Sequence, residues 1–145
     1  MLTEKDYCDY DTCVALKELG FREKCPTYYD TEDNVGLLYN TQWTSGYLPC
    51  QFTDCLESHN SNTSDDNSYV DAPTLWEAQK WLREEKNIIV DVFVDDDSET
   101  PITYNIHKNG ECVSHHHGKY WSVNEWSEAL LEGIKEAIKL LKEEK

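Results

Sequence analysis

Residues 88–110, IIVDVFVDDDSETPITYNIHKNG, predict the centre of an antiparallel β-sheet. The run 88–94 is short, apolar and β-branched, and apolar residues alternate with polar ones over 102–107. The acidic stretch between these runs predicts a turn. Asn-Gly at 109–110 is the preferred pair of a two-residue type I′ hairpin, so a third strand is expected over 112–120.

A helix is predicted on each side of these strands along the chain. One begins at Thr74 and ends near residue 86, with Thr74 and Glu77 at the spacing of a capping box. The other covers 123–141 and begins with Ser122 and Glu125 at the same spacing. Each has apolar residues three and four positions apart. Both helices are therefore expected to cover one face of the sheet.

The first half of the chain predicts a smaller unit. A helix over 11–19 would end at Gly20, which suits a left-handed C-terminal cap, and strands over 25–29 and 35–39 would form a hairpin. The segment 51–71 is too polar to bury a face and is expected to be a loop or linker.

These elements predict an α+β fold within a single domain, 1–145. Helices pack on one face of an antiparallel sheet, and a helix-hairpin unit precedes the helix-strand-strand-strand-helix unit. The expected parts are a helix-hairpin unit at 1–50, a polar loop at 51–71 and the helix-three strands-helix unit at 72–145. The oligomeric state stays open.

Charge excludes several classes of function. The chain has 29 acidic and 13 basic residues and a formal net charge of −16, which opposes binding to nucleic acid or anionic lipid. No apolar run is long enough to span a membrane, and residues 1–6 lack the layout of a secretory signal. We therefore expect a cytoplasmic protein without a membrane or nucleic-acid partner.

The cysteines leave three states open. Cys8 and Cys13 have the same spacing as Cys50 and Cys55, and two such pairs could supply the four thiolates of a zinc site. The even total of six cysteines would also permit disulfides. Without a secretory signal, reduced thiols packed as small apolar side chains are the favoured interpretation, and no cofactor is predicted.

The run 114–118, Ser-His-His-His-Gly, is a second candidate metal site. A regular hairpin register pairs Ile106 with Val113, which places His115 and His117 on the sheet face of the apolar strand residues. Two such histidines could begin a zinc or copper site, although ordinary sheet positions explain them as well.

Catalysis is not predicted. His107 and Cys112 are expected to be cross-strand neighbours, but the sequence marks no third residue to orient a nucleophile and no oxyanion hole. No glycine-rich phosphate loop is present. The chain is therefore interpreted as a non-enzyme, with enzymatic activity left open only for a metal-dependent site.

Two groups are candidates for interaction. Trp43 and Tyr47 lie in a glycine-containing stretch and are expected to be exposed. The carboxylates of the acidic turn could array negative charge as nucleic acid does: Asp95, Asp96, Asp97 and Glu99. The function that follows is an acidic interaction protein that binds a basic host or phage protein. Zinc binding, or a small metal-dependent enzyme, is the alternative.

Two stretches carry a resemblance: APTLWEAQKWLREE at 72–85 and WSEALLEGIKEA at 126–137. Over about half of its length the chain resembles small uncharacterised proteins encoded by gut Bacteroidales, their phages and mobile elements. The resemblance implies a phage or mobile-element origin and no functional residues. The element order after Thr74 is also that of a double-stranded-RNA-binding domain, but the last helix lacks the basic start that grips phosphates.

Overall fold

The structure is a computed structural model that describes residues 4–23, 25, 27–30, 38–39, 69–114 and 119–143. The chain divides into two compact units: Tyr7–Pro73, the N-terminal unit, and Met1–Asp6 with Thr74–Lys145, the C-terminal unit. Each unit combines a small antiparallel sheet with helix. The predicted α+β fold class is confirmed.

In its described residues, the N-terminal unit contains α1, Tyr10–Glu18, and three short strands. The strands are β1, Thr27–Asp30, β2, Leu38–Tyr39, and β3, Tyr69–Asp71, in the antiparallel order β2-β1-β3. Asp9 caps α1 by accepting a 2.9 Å hydrogen bond from the backbone N–H of Thr12. Beyond the helix Gly20 has a φ of 104°, so the expected left-handed residue is present.

The last three residues of the predicted polar loop, 51–71, form strand β3, so the loop prediction is wrong there. Val70, only 3% exposed, is paired with Tyr29 of β1. The backbone N–H of Ala72 donates a 3.0 Å hydrogen bond to the carbonyl oxygen of Thr27. The predicted helix-hairpin thus gains a third strand from a distant part of the chain, which local composition could not indicate.

The C-terminal unit has the predicted helix-strand-strand-strand-helix order. It contains α2, Leu75–Lys86, then β4, Ile88–Val94, β5, Ile102–Lys108, and β6, Glu111–Ser114, and finally α3, Trp126–Glu143. Single 3-10 turns, Glu4–Asp6 and Val123–Glu125, complete it. The strand order is β4-β5-β6, all antiparallel.

Local capping signals define the helix starts as expected. The side chain of Thr74 accepts from the backbone N–H of Glu77 at 3.2 Å, and Glu77 accepts in return from the N–H of Thr74 at 2.9 Å. Glu125 accepts from both the N–H and the hydroxyl of Ser122, each at 2.9 Å. Together these bonds satisfy N–H groups that a helix leaves unpaired at its first turn.

The core of this unit lies between the sheet and its two helices. Ile88 and Val90 of β4 and Ile106 of β5 are at most 1% exposed. α3 contributes a continuous buried stripe: Ala129, Leu130, Gly133, Ile134, Ala137, Ile138 and Leu141. At Gly133 the helix crosses the sheet so closely that a Cβ atom would overlap Val90 and approach Tyr104. Of the helices described, none is long and apolar enough to cross a membrane.

The β5–β6 hairpin departs from the predicted register after two pairs. Asn109 and Gly110 both have positive φ, and the expected pairing of His107 with Cys112 is present. The next pair is Ile106 with Ser114, whereas Val113 was expected. A β-bulge therefore places one extra residue in β6, and the regular register that would set His115 and His117 on the apolar face is wrong.

Candidate functional site

The acidic turn between β4 and β5 is an exposed charged feature of the described chain. Every residue from Val94 to Thr100 is exposed, so all of the predicted interaction carboxylates here face solvent. The turn is closed at its base by a 2.7 Å hydrogen bond from the N–H of Asp95 to the carbonyl oxygen of Pro101. The sheet thus ends in a rigidly anchored loop that presents negative charge.

Two side-chain hydrogen bonds fix carboxylates within this acidic turn. Tyr120 donates its hydroxyl to Asp95 at 3.1 Å, and the N–H of Ser98 donates to Asp96 at 2.8 Å. Hydrogen bonds from the side chain and the backbone of Ser98 lower the pKa of Asp96. Desolvation, followed by the bond to Asp95 and the charges of Asp95 and Asp96, raises the pKa of Tyr120. Asp96 is consequently ionised at any pH near neutrality.

Buried thiols form a second feature, in the N-terminal unit. Cys8, Cys13 and Cys25 are each 0% exposed and unoxidised. Cys13 donates its thiol hydrogen to the carbonyl oxygen of Cys8 at 3.6 Å, and Tyr29 donates to the same oxygen at 2.9 Å. The side chain of Cys8 also interacts with that of Cys13. The two thiols of the predicted first pair are therefore brought together.

The position of this pair along α1 explains its spacing. Asp9 is the N-cap, so Cys8 immediately precedes the cap and Cys13 is the fourth helical residue. These are the two positions of a hydrophobic staple, in which apolar side chains meet across a helix start. Four intervening residues therefore have a structural reason that requires no metal.

The electrostatics of this thiol cluster oppose ionisation. Burial, the side-chain interaction with Cys8 and the nearby charges of Cys8, Cys25 and Asp9 raise the pKa of Cys13 well above its ordinary value. Cys25 instead directs its thiol to the carbonyl oxygen of Glu23, at 3.7 Å. A thiol held neutral in this way is a weak nucleophile and becomes a metal ligand only if it loses its proton.

Metal ligation is not assembled by the residues that the structure describes. Among them, no group of three or more histidine, cysteine, aspartate or glutamate side chains could hold a metal ion. Several predicted site residues lie outside the described residues: Cys50, Cys55, His115, His117, Trp43 and Tyr47. Their roles stay predictions from the sequence.

The predicted neighbours His107 and Cys112 are paired on the sheet, as expected. Cys112 is exposed and its thiol donates to the carbonyl oxygen of Ser114 at 3.6 Å, while His107 is half-buried. The thiol is thus directed along its own strand. This arrangement gives the pair no geometry of nucleophile and base.

The sequence analysis did not assign two residues to the acidic turn or to the thiol cluster. Tyr120 contacts Asp95 although 25 positions separate them, because the segment before α3 returns to the sheet at Trp121, which bridges Ile102. Cys25 joins Cys8 and Cys13 through the fold of the N-terminal unit. No local pattern marks either association.

No protein-family model, no curated protein and no solved structure matches this chain. The function is therefore argued from the chain's own residues.

Proposed function

We propose that this chain is an acidic, non-catalytic interaction protein that binds a partner protein with a basic surface. The observation that carries the proposal is the acidic turn at the end of the sheet. Residues 91–101 contain five carboxylates, Asp91, Asp95, Asp96, Asp97 and Glu99, and no lysine or arginine. The unit presents this charge on an anchored loop, and no described lysine or arginine forms an ion pair with it.

Electrostatic attraction would be the main force that brings a basic partner to such a surface. A net charge of −16 steers basic partners toward the chain and repels acidic ones. Exposed charges act through a Debye length of about 10 Å at 0.1 M salt and about 3 Å at 1 M. The proposed binding is consequently strong at low salt and weak at high salt. The most specific version of the proposal is nucleic-acid mimicry, in which the carboxylates occupy the partner's binding sites for nucleic-acid phosphates.

The test is capture of bacterial lysate proteins on the immobilised chain at low and high salt, with quantitative mass spectrometry. A variant in which Asp95→Asn, Asp97→Asn and Glu99→Gln are combined removes charge from the turn but keeps its size. The matched control removes the same number of exposed charges from the helices: Glu84→Gln, Glu85→Gln and Glu143→Gln.

The proposal requires basic proteins that bind at low salt, are lost at high salt and are lost with the turn variant. The helix variant should retain them, because its acidic turn is intact although its net charge equals that of the turn variant. Equal capture by both variants would show that only overall charge matters, and capture unaffected by salt would show that charge is not the cause. Either result overturns the proposal.

Zinc binding is the second candidate, and the adjacent thiols of Cys8 and Cys13 favour it. With zinc, the chain would be a structural metal protein or a small metal-dependent enzyme that uses the cysteine pairs or the histidine run. Protein purified without a metal column should then contain about one zinc per chain. Cys13→Ala should lose this zinc and Cys112→Ala should retain it. A zinc-free protein overturns this candidate.

Location and origin belong to the same proposal. The proposed location is a reducing compartment such as the cytoplasm, where thiols such as Cys8, Cys13 and Cys25 stay free. A phage or mobile-element origin, implied by the resemblance of 72–85 and 126–137, would make a basic host protein a natural partner. Fractionation of the native cell tests the location.

A further inference from the structure

The hydrogen-bond pattern of the sheet shows which way the backbone groups of β4 point. Asn87 pairs with Asn109 through a 3.3 Å backbone bond, and Asp95 pairs with Pro101 through a 2.7 Å bond. Bonded and non-bonded pairs alternate along an antiparallel ladder. The odd-numbered residues of β4 are therefore bonded to β5. The even-numbered residues direct their N–H and C=O groups to the opposite side, the free edge of the sheet.

Part of this free edge is occupied. Gln79 of α2 donates its side-chain amide to the carbonyl oxygen of Val90 at 2.7 Å, which also confirms that even-numbered residues point outward. Further along, Val92 and Val94 have no such partner among the residues that the structure describes. Val94 is 64% exposed. The open edge therefore consists of the N–H and C=O groups of Val92 and Val94.

An edge of this kind accepts another strand. Unpaired N–H and C=O groups on an edge strand are a template for an extended segment, which gains main-chain hydrogen bonds there. Natural sheets usually block such edges with charge, proline or a covering element. Here α2 blocks Val90 through Gln79 and leaves the next two outward residues open.

The surroundings of the open edge define what fits. Asp91 is exposed on the sheet face opposite the helices, and the acidic turn follows Val94 directly. The side chains of Val92 and Val94, both apolar, lie on the helix side of the sheet with those of Ile88 and Val90. An added strand also alternates its side chains between the two faces. A complementary segment therefore places basic residues beside Asp91 and the acidic turn, and apolar residues beside Val92 and Val94 on the helix side.

We infer that the Val92–Val94 edge of β4 binds an extended segment of a partner protein in which basic and apolar residues alternate. The inference rests on the proposed function, since it specifies how the basic partner is held. A second copy of this chain is a poorer occupant, because it would bring Asp91 and the acidic turn of two copies together. Like charges on adjacent strands destabilise their pairing.

The test measures binding of short blocked peptides by fluorescence anisotropy. The probe alternates lysine and valine, and a composition control groups the same lysines and valines into two blocks. Two further probes carry backbone N-methyl groups, one at the lysines and one at the valines. Strand addition requires N–H groups on only one edge of the peptide. We therefore expect one N-methylated probe to bind about as well as the parent and the other at least about tenfold more weakly.

Protein variants test the same edge without altering charge. Val94→Pro removes the outward N–H but leaves the bonds to β5, since proline is tolerated where the N–H of an edge strand faces solvent. Val94→Thr is the control, because it keeps both the N–H and the branched shape. We expect Val94→Pro to weaken the alternating peptide about tenfold and Val94→Thr to leave it unchanged. Circular dichroism checks that both variants are folded.

The outcomes separate this inference from the proposed function. If both N-methylated probes and the block peptide bind like the parent, charge alone holds the peptide and the strand inference is wrong. If no peptide binds but basic proteins are still captured through the acidic turn, the inference is wrong and the proposed function survives. If the chain dimerises in solution and Val94→Pro makes it monomeric, a second copy occupies the edge and the inference is again wrong.

Discussion

Replacing Gly133 by alanine should destabilise the C-terminal unit, although helix propensity alone predicts the reverse. Within a helix, alanine is favoured over glycine by about 1 kcal/mol. A Cβ at this position, however, would overlap Cγ1 of Val90 and lie 3.3 Å from Cγ of Tyr104. Overpacking of a dense core costs about 1–3 kcal/mol. The two effects combined give a net loss of about 1 kcal/mol in the free energy of unfolding.

The contact with Val90 provides a control within the same measurement. Val90→Ala removes the overlapping methyl group, so its cost by itself is that of a small cavity. In the double variant the new methyl of residue 133 occupies part of that space. The double variant should therefore be more stable than the sum of the two single changes predicts, by about 1 kcal/mol or more.

Urea unfolding followed by tryptophan fluorescence is the suitable assay. Four of the five tryptophans belong to the C-terminal unit, so the signal reports mainly on it. The midpoint and slope of each variant give its free energy of unfolding. If Gly133→Ala raises that free energy, or if its effect is simply additive with Val90→Ala, then the close approach of α3 to the sheet is wrong.

Four other outcomes are expected. Thr74→Ala should lower the free energy of unfolding by about 1 kcal/mol by removing a helix cap, and Thr74→Ser should restore most of it. Thr12→Val should leave stability unchanged or raise it by about 1 kcal/mol, because the buried hydroxyl has no hydrogen-bond partner in the described residues; a clear loss contradicts this. Bonds from the backbone and side chain of Ser122 lower the pKa of Glu125, so its carboxylate stabilises the fold above its unfolded pKa. The advantage of wild type over Glu125→Gln in urea unfolding should therefore vanish as the pH falls through the folded pKa, and a constant gap refutes it. Iodoacetamide should label Cys112 in the native protein and the three buried thiols only after unfolding, as peptide mass spectrometry would show.

Elements set by neighbouring residues were predictable from sequence. Asn109 and Gly110 form the expected turn because both adopt positive φ, which other residues avoid. Thr74 with Glu77 marked the start of α2 because the hydrogen bonds of a cap join residues three apart. The boundaries of α2, β4 and β5 followed for the same local reason, whereas the third strand, expected over 112–120, is Glu111–Ser114 in the described residues.

Elements set by distant residues were not predictable. The turn was predicted correctly, but the bulge at Val113 shifts the register of β6 by one residue. The regular register from which His115 and His117 were placed on the apolar face is therefore wrong. Cys13 was paired in sequence with Cys8 as half of a zinc site, whereas the structure shows the two at a helix start, with Cys25 nearby. Strand register and thiol clustering depend on the packing of segments far apart in the chain.

The sequence by itself determined the fold class, the order of elements in the C-terminal unit and the acidic character of the surface. These follow from periodicity, capping and charge, which act over a few residues or require no geometry at all. Only the tertiary structure decided that β4 lies at the edge of its sheet, that Gln79 closes one of its carbonyl groups and that Val92 and Val94 have no backbone partner on that edge among the described residues. Strand order and side-chain reach are properties of the assembled sheet, because they depend on which segments pack side by side.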